Sequence, residues 1–216
     1  MSKVVVVDYS MGNVSSVLRS VEKVGGTAKL SDDPDVIRSA DRVILPGVGA
    51  FEHGMEELCQ RKLDHALRDY SETGRPLLGI CLGMQMLMSY SEEFGFHKGL
   101  NILPGKVKKI PSRGPDEELV KTPHIGWNTL IRPEECSGWE NTILNNVSEN
   151  SWVYFSHSFA VVPENPKLRL ANCIYSGCLV SAAIHYKSIF GCQFHPEKSG
   201  SVGLTIIKNF VLSQAN

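Results

Sequence analysis

The sequence lacks any uninterrupted apolar run that approaches the roughly 20 residues needed to cross a bilayer, so no spanning helix is expected. It runs almost at once into Val4-Val5-Val6-Val7-Asp8, a short strand-like stretch without the apolar region and cleavage site of a secretory leader. No Cys-x-x-Cys pair occurs. Cys59, Cys81, Cys136, Cys173, Cys178 and Cys192 are scattered, which argues against a disulfide framework or a zinc site and for reduced thiols in a cytoplasmic protein. No excess of charge of either sign is present; a net charge of -1 gives no footprint for nucleic acid or an anionic membrane. Repeats, low-complexity tracts and linkers are also missing, so the 216 residues read as one domain, 1–216, large enough for a substantial core.

What is present is an alternation of short apolar runs and amphipathic stretches. Residues 4–7, 27–30, 42–45 and 76–80 have the character of strands, the first buried on both faces as in a parallel sheet. Between them, 14–24 has helical periodicity with Asn13 as N-cap, 34–40 suits a short helix, and 51–70 is helical in pattern. Residues 84–90 read as the start of another helix. Beyond Tyr90 the helical period fades, and runs at 106–110, 152–162, 168–174, 179–186 and 189–195 suggest antiparallel strands, before a last helix at 202–211. The expected fold is α/β: a doubly wound, mainly parallel central sheet with an added antiparallel portion. Sites in such sheets lie at the carboxyl ends of the strands.

Gly79-Ile80-Cys81-Leu82-Gly83 stands at one such end. Glycines two positions before and after a residue on a strand-to-helix turn let the turn close sharply and expose the side chain, the elbow logic of a nucleophile, here with sulfur. The helix start would favour a thiolate. A small buried cysteine is the competing reading, and the glycine spacing makes the two about equal until a partner is found. His195-Pro196-Glu197 supplies one. Proline holds His195 extended, and in extended chain positions i and i+2 share a side, so Glu197 can orient the imidazole as base for Cys81. Alone the tripeptide would be a surface turn; beside the elbow it is the better candidate. Of the other histidines, His53, His65 and His97 lie in polar stretches and are expected to be solvated, and His185 to be structural. Acyl chemistry also needs oxyanion donors. Candidates are the Leu82 N–H and the turn Pro46-Gly47-Val48-Gly49, where flanking glycines make the Val48–Gly49 peptide easy to rotate.

Three segments, Pro46 to Gly49, Gly79 to Gln85 and Gln193 to Ser199, together resemble the signatures of the class I glutamine amidotransferases, in the right order. Within the class, residues 8–13, 123–128 and 154–159 are similar to the glutaminase subunits of imidazole glycerol phosphate synthases. The resemblance covers essentially the whole chain. It implies hydrolysis of glutamine by Cys81, His195 and Glu197, with Val48, Gly49 and Leu82 forming the oxyanion hole. Glutamine contacts would come from Gly47, Gly49, Gln85, Ser158 and Phe159; the family often has tyrosine at the last, so only a backbone role carries over. Asn13, Pro123, Trp127, Tyr154 and Lys198 would face a (β/α)8-barrel synthase subunit in a heterodimer. Ammonia would pass to that subunit for imidazole glycerol phosphate formation in histidine biosynthesis. No cofactor or metal is implied. Competing readings are the glutaminase subunit of a sugar-modifying amidotransferase, a free-standing cysteine hydrolase and a non-catalytic binding module.

Overall fold

The computed structural model describes residues 3–213. The four valines fill β1 (Lys3–Val7) and explain why the run is apolar throughout. Val4 and Val6 join one core and Val5 and Val7 the other, so the strand is covered on both faces. It is followed by α1 (Val14–Lys23), β2 (Thr27–Ser31), α2 (Pro34–Arg38), β3 (Arg42–Leu45), α3 (Phe51–Gln60), α4 (Leu63–Ser71), β4 (Leu77–Ile80) and α5 (Leu82–Met86). Then come β5 (Met88–Ser91), β6 (His97–Lys98), β7 (Leu103–Lys109), β8 (His124–Thr129), β9 (Trp152–His157) and β10 (Phe159–Pro163). β11 (Arg169–Tyr175), β12 (Cys178–Tyr186), β13 (Ile189–Cys192) and α6 (Gly200–Leu212) close the chain, with 3-10 turns at Pro166–Leu168 and Pro196–Lys198.

The main sheet has the order β11-β12-β13-β4-β3-β1-β2. The strands from β13 to β2 run parallel, and β12 and β11 are added antiparallel. α1 and α6 cover one face through Val17, Val21, Ile206 and Phe210; α2, α3 and α4 cover the other through Ile37, Leu58 and Leu67. β10, β7, β5 and β6 form a second sheet, and β8 and β9 a separate hairpin. β1 is flanked by β2 and β3, so the chain reverses its winding direction there; the crevice at the carboxyl ends of β1 and β3 is where such sheets bind ligands.

Several expectations need correcting. The helical stretch 51–70 is two helices, broken at Lys62 in the left-handed region (φ 59°); the break lets Leu58 and Leu63 both reach the core beneath them. Residues 84–90 do not continue a helix: α5 stops at Met86, and Met88–Ser91 instead pairs with β6 and β7. A short apolar run does not distinguish the two states, and here the sheet partners decide. Residues 152–162 are two strands. They part at Ser158, where β9 leaves its partner β8 and β10 takes up β7. The last strand ends at Cys192 rather than 195. Asn13 precedes α1, but its side chain makes no capping bond; its carbonyl accepts the N–H groups of Ser16 and Val17.

Candidate active site

β4 delivers Cys81 on a backbone of φ 53° and ψ -109°, outside the usual regions for a non-glycine residue. Such a conformation costs about 1–3 kcal/mol and persists only where the surroundings enforce it. They do so here. A Cβ on Gly79 would lie 2.7 Å from the Met84 backbone, and one on Gly83 would overlap the Leu45 carbonyl. The Cys81 N–H donates to the Cys192 carbonyl (2.7 Å), tying the elbow to β13. The helix after it has only five residues, so the long helix start expected behind Cys81 is a single short turn.

β13 then carries the chain to His195. The His195 N–H donates to the Tyr154 carbonyl (2.9 Å), and Ser199 Oγ donates to the His195 carbonyl (2.7 Å) while accepting the Tyr154 N–H (3.0 Å). His195 Nδ1 lies 2.9 Å from Glu197 Oε1, with both side chains almost wholly covered. The pairing arises differently from the extended geometry expected: only His195 is extended, and Pro196–Lys198 turns as a 3-10 helix. With Nδ1 donating to the carboxylate, Nε2 is left for Cys81. Burial pulls the His195 pKa down, but hydrogen bonds to Cys81 and Glu197 outweigh it and raise it to about 9. The imidazole is therefore prepared to hold a proton.

Cys81 and His195 open onto a cavity of about 410 Å³. Val48, Gly49, Leu82, Gln85, Ser158, Phe159 and Lys198 also line it. Glu197 stands behind His195. Gly47 supports the wall from outside, where a Cβ would lie 3.0 Å from that of Leu82. Tyr9, its hydroxyl pushed far up by burial and by nearby Cys81, stays protonated and donates to the Pro46 carbonyl (2.7 Å), pinning this turn. The Leu82 N–H donates to the Gly47 carbonyl (3.3 Å). The peptide lying against the Leu82 donor is thus Gly47–Val48, one earlier than the Val48–Gly49 peptide singled out from sequence.

Trp127 and Tyr154 stand opposite in the β8–β9 register with ring centroids 6.0 Å apart, and Lys198 Nζ lies 5.8 Å from the Tyr154 ring. These three form one surface beside the cavity. Pro123 is exposed at the head of β8 and Asn13 half-buried at the start of α1; neither lines the cavity.

Sequence reasoning missed Glu93, Lys109, His157 and Gln193. Glu93 lines the cavity and its carboxylate accepts the Phe51 N–H (2.8 Å); burial raises its pKa. Its only signal was an acid in a stretch left unassigned beyond Tyr90, too common to mark a site. His157 is buried, 3.0 Å from His124 Nδ1. His97, expected to be solvated, is mostly covered and sits 3.3 Å from Glu52. His53 and His65 are exposed, and His185 is stacked on Phe190 as a structural residue.

The family model described as Glutamine amidotransferase class-I matches residues 5–214. The chain belongs to the class I glutamine amidotransferases. The amidotransferase is 50% identical over 211 residues to "Imidazole glycerol phosphate synthase subunit HisH 1" of Legionella pneumophila (strain Paris), covering 98% of this chain and 99% of that protein. It is 44% identical to the HisH subunit of Syntrophotalea carbinolica (96% and 98% covered) and 41% identical to that of Methanosarcina barkeri (98% of each). Among solved structures, PurLQS from Thermotoga maritima superposes with a TM-score of 0.69 at 18% identity, covering 97% of each chain, which shows a shared fold.

Proposed function

We propose that this amidotransferase is the glutaminase subunit of an imidazole glycerol phosphate synthase. It hydrolyses glutamine to glutamate and hands the ammonia to a (β/α)8-barrel synthase subunit of histidine biosynthesis, in the cytoplasm. The observation that carries the chemistry is the strained elbow cysteine beside a buried His195–Glu197 pair, at a cavity fit for an amino acid. Its wall bears one carboxylate, Glu93, and two ammonium groups, Lys109 and Lys198, among the described residues. That set suits the α-ammonium and α-carboxylate of glutamine.

In this reading Cys81 Sγ attacks the side-chain carboxamide carbon, and its proton moves to His195. The C–S bond forms and the carbonyl electrons become an oxyanion. On collapse the C–N bond breaks and His195 returns the proton to the departing ammonia. Water, deprotonated by His195, then attacks the thioester; the C–S bond breaks, His195 returns that proton to the Cys81 sulfur and glutamate leaves. Gln85 and the backbone of Gly49, Ser158 and Phe159 hold the substrate.

The oxyanion donors are the N–H groups of Leu82 and of the Pro46–Gly49 turn. With the Gly47 carbonyl on the Leu82 donor, the hole is closed. Turning the Gly47–Val48 peptide frees Leu82 and brings the Val48 N–H inward. One oxyanion donor is worth about 10²–10³ in rate, so this turn alone is enough for strong activation by the partner. Val48→Pro should therefore abolish most partner-induced stimulation. Unchanged stimulation in that variant would return the switch to the Val48–Gly49 peptide. Steady-state assays on glutamine against a peptide and an ester test the substrate class: only glutamine should be turned over.

A further inference from the structure

We propose that Gln193 is a catalytic residue whose side-chain amide donates a hydrogen bond to the Cys81 sulfur and favours the thiolate that attacks the substrate. Gln193 is fully buried one residue past β13, and its backbone N–H donates to the Ala182 carbonyl (2.8 Å). Its Nε2 lies 3.7 Å from Cys81 Sγ, within hydrogen-bond range for sulfur.

The direction of this amide is fixed by a chain of acceptors. The Phe159 carbonyl can only accept, and Gln85 Nε2 donates to it at 2.9 Å. Gln85 therefore presents its NH2 group, and the second N–H points at Gln193 Oε1, 3.1 Å away. Gln193 must then face Gln85 with oxygen and Cys81 with nitrogen. Reversing either amide would set two acceptors or two donors against each other in a buried site, where an unmade bond is costly. The chain is held at its far end as well, because His157 Nδ1 lies 2.8 Å from the same Phe159 carbonyl.

Besides His195, a further polar atom near the sulfur is the Ser156 carbonyl, 3.8 Å from Sγ. It can only accept, so it favours the thiol. The Gln193 amide can donate, so it favours the anion; hydrogen bonding to a charged form shifts the balance toward that form. His195 is the titratable group that receives the proton, and the Tyr9 hydroxyl near Cys81 stays neutral. Gln193 thus complements His195: one takes the proton and the other holds the charge left behind.

This rests on Cys81 being the nucleophile, and the test separates the two ideas because alkylation needs no glutamine. Iodoacetamide alkylation of Cys81 is measured against pH in wild type and in Gln193→Met, which keeps length and burial but removes the donor. The profile should move to higher pH by about one unit, with the rate well below the midpoint falling about tenfold and recovering in alkali. kcat for glutamine should fall with it, and KM much less, because Gln85 keeps its bond to Phe159. A folded Gln193→Met with the wild-type profile would overturn the proposal. If that variant does not fold, the side-chain amide resonance of Gln193 in ¹⁵N-labelled wild type decides. It should follow the midpoint of Cys81 alkylation; a resonance that ignores that transition overturns the proposal equally.

Discussion

At the scale of single residues, the buried histidines make stability depend on pH in two opposed ways. Burial lowers His124 to about 4 and His157 to about 3, against 6.5 unfolded. The unfolded chain binds more protons in that window, so stability is lost as pH falls below 6.5, at up to about 1.4 kcal/mol per unit for each group. His195 is raised to about 9, so its contribution is full below 6.5 and lost as pH rises through 9. Denaturant midpoints should therefore peak near pH 6.5. His124 is stacked between Phe155 and Tyr175, so His124→Phe should keep the packing and flatten the acid limb by about one proton; an unchanged limb would reject this assignment. Legibility at this scale followed punctuation. Cys81 stands between glycines that permit a tight turn, and His195 before a proline that restricts the backbone; both marks are visible in sequence. Glu93 owes its place to elements distant in the chain, and nothing beside it marks this; Gln193 stands in the Gln193 to Ser199 signature, but its contact with Cys81 depends on the fold.

At the scale of elements, β1, β3 and β4 were legible because they are apolar on both faces, whereas β13, read among the antiparallel runs, pairs parallel with β4. Boundaries were not, wherever a tertiary partner decided. The break between α3 and α4 rests on Lys62 at φ 59°, where a side chain costs about 1–2 kcal/mol. Glycine relieves that strain at some cost in unfolded-state entropy, so Lys62→Gly should stabilise by about 0.5–1 kcal/mol, read as a higher thermal midpoint. Destabilisation would mean that the turn is held by the lysine side chain. β8 was missed because Gly126 and Asn128 interrupt its pattern; pairing with β9 and not propensity makes it a strand. Gly83 makes the opposite prediction to Lys62. A Cβ there collides with the backbone of β3, not with a flexible side chain. Gly83→Ala should cost about 1–3 kcal/mol or more and displace the elbow, with glutaminase activity falling further than stability.

At the scale of the whole molecule, the β8–β9 hairpin joins the cavity to an exposed apolar surface. Ile125, Trp127 and Trp152 are more than half exposed, and Tyr154, on the same hairpin, also receives the His195 N–H through its carbonyl. We propose this face as the seat of the synthase subunit. A buried tryptophan anchor is commonly worth 2 kcal/mol or more, so Trp127→Ala should weaken association about thirtyfold or more, measured by titration calorimetry, without removing any cavity wall. Wild-type affinity in that variant would place the partner elsewhere. The central claim joins this surface to the cysteine, and one comparison tests both. The complex of Cys81→Ala with its synthase partner is supplied either with glutamine or with ammonium salt, and formation of imidazole glycerol phosphate is followed. No product should form from glutamine, and near wild-type product should form from ammonium. Substantial product from glutamine in the Cys81→Ala complex would contradict that claim.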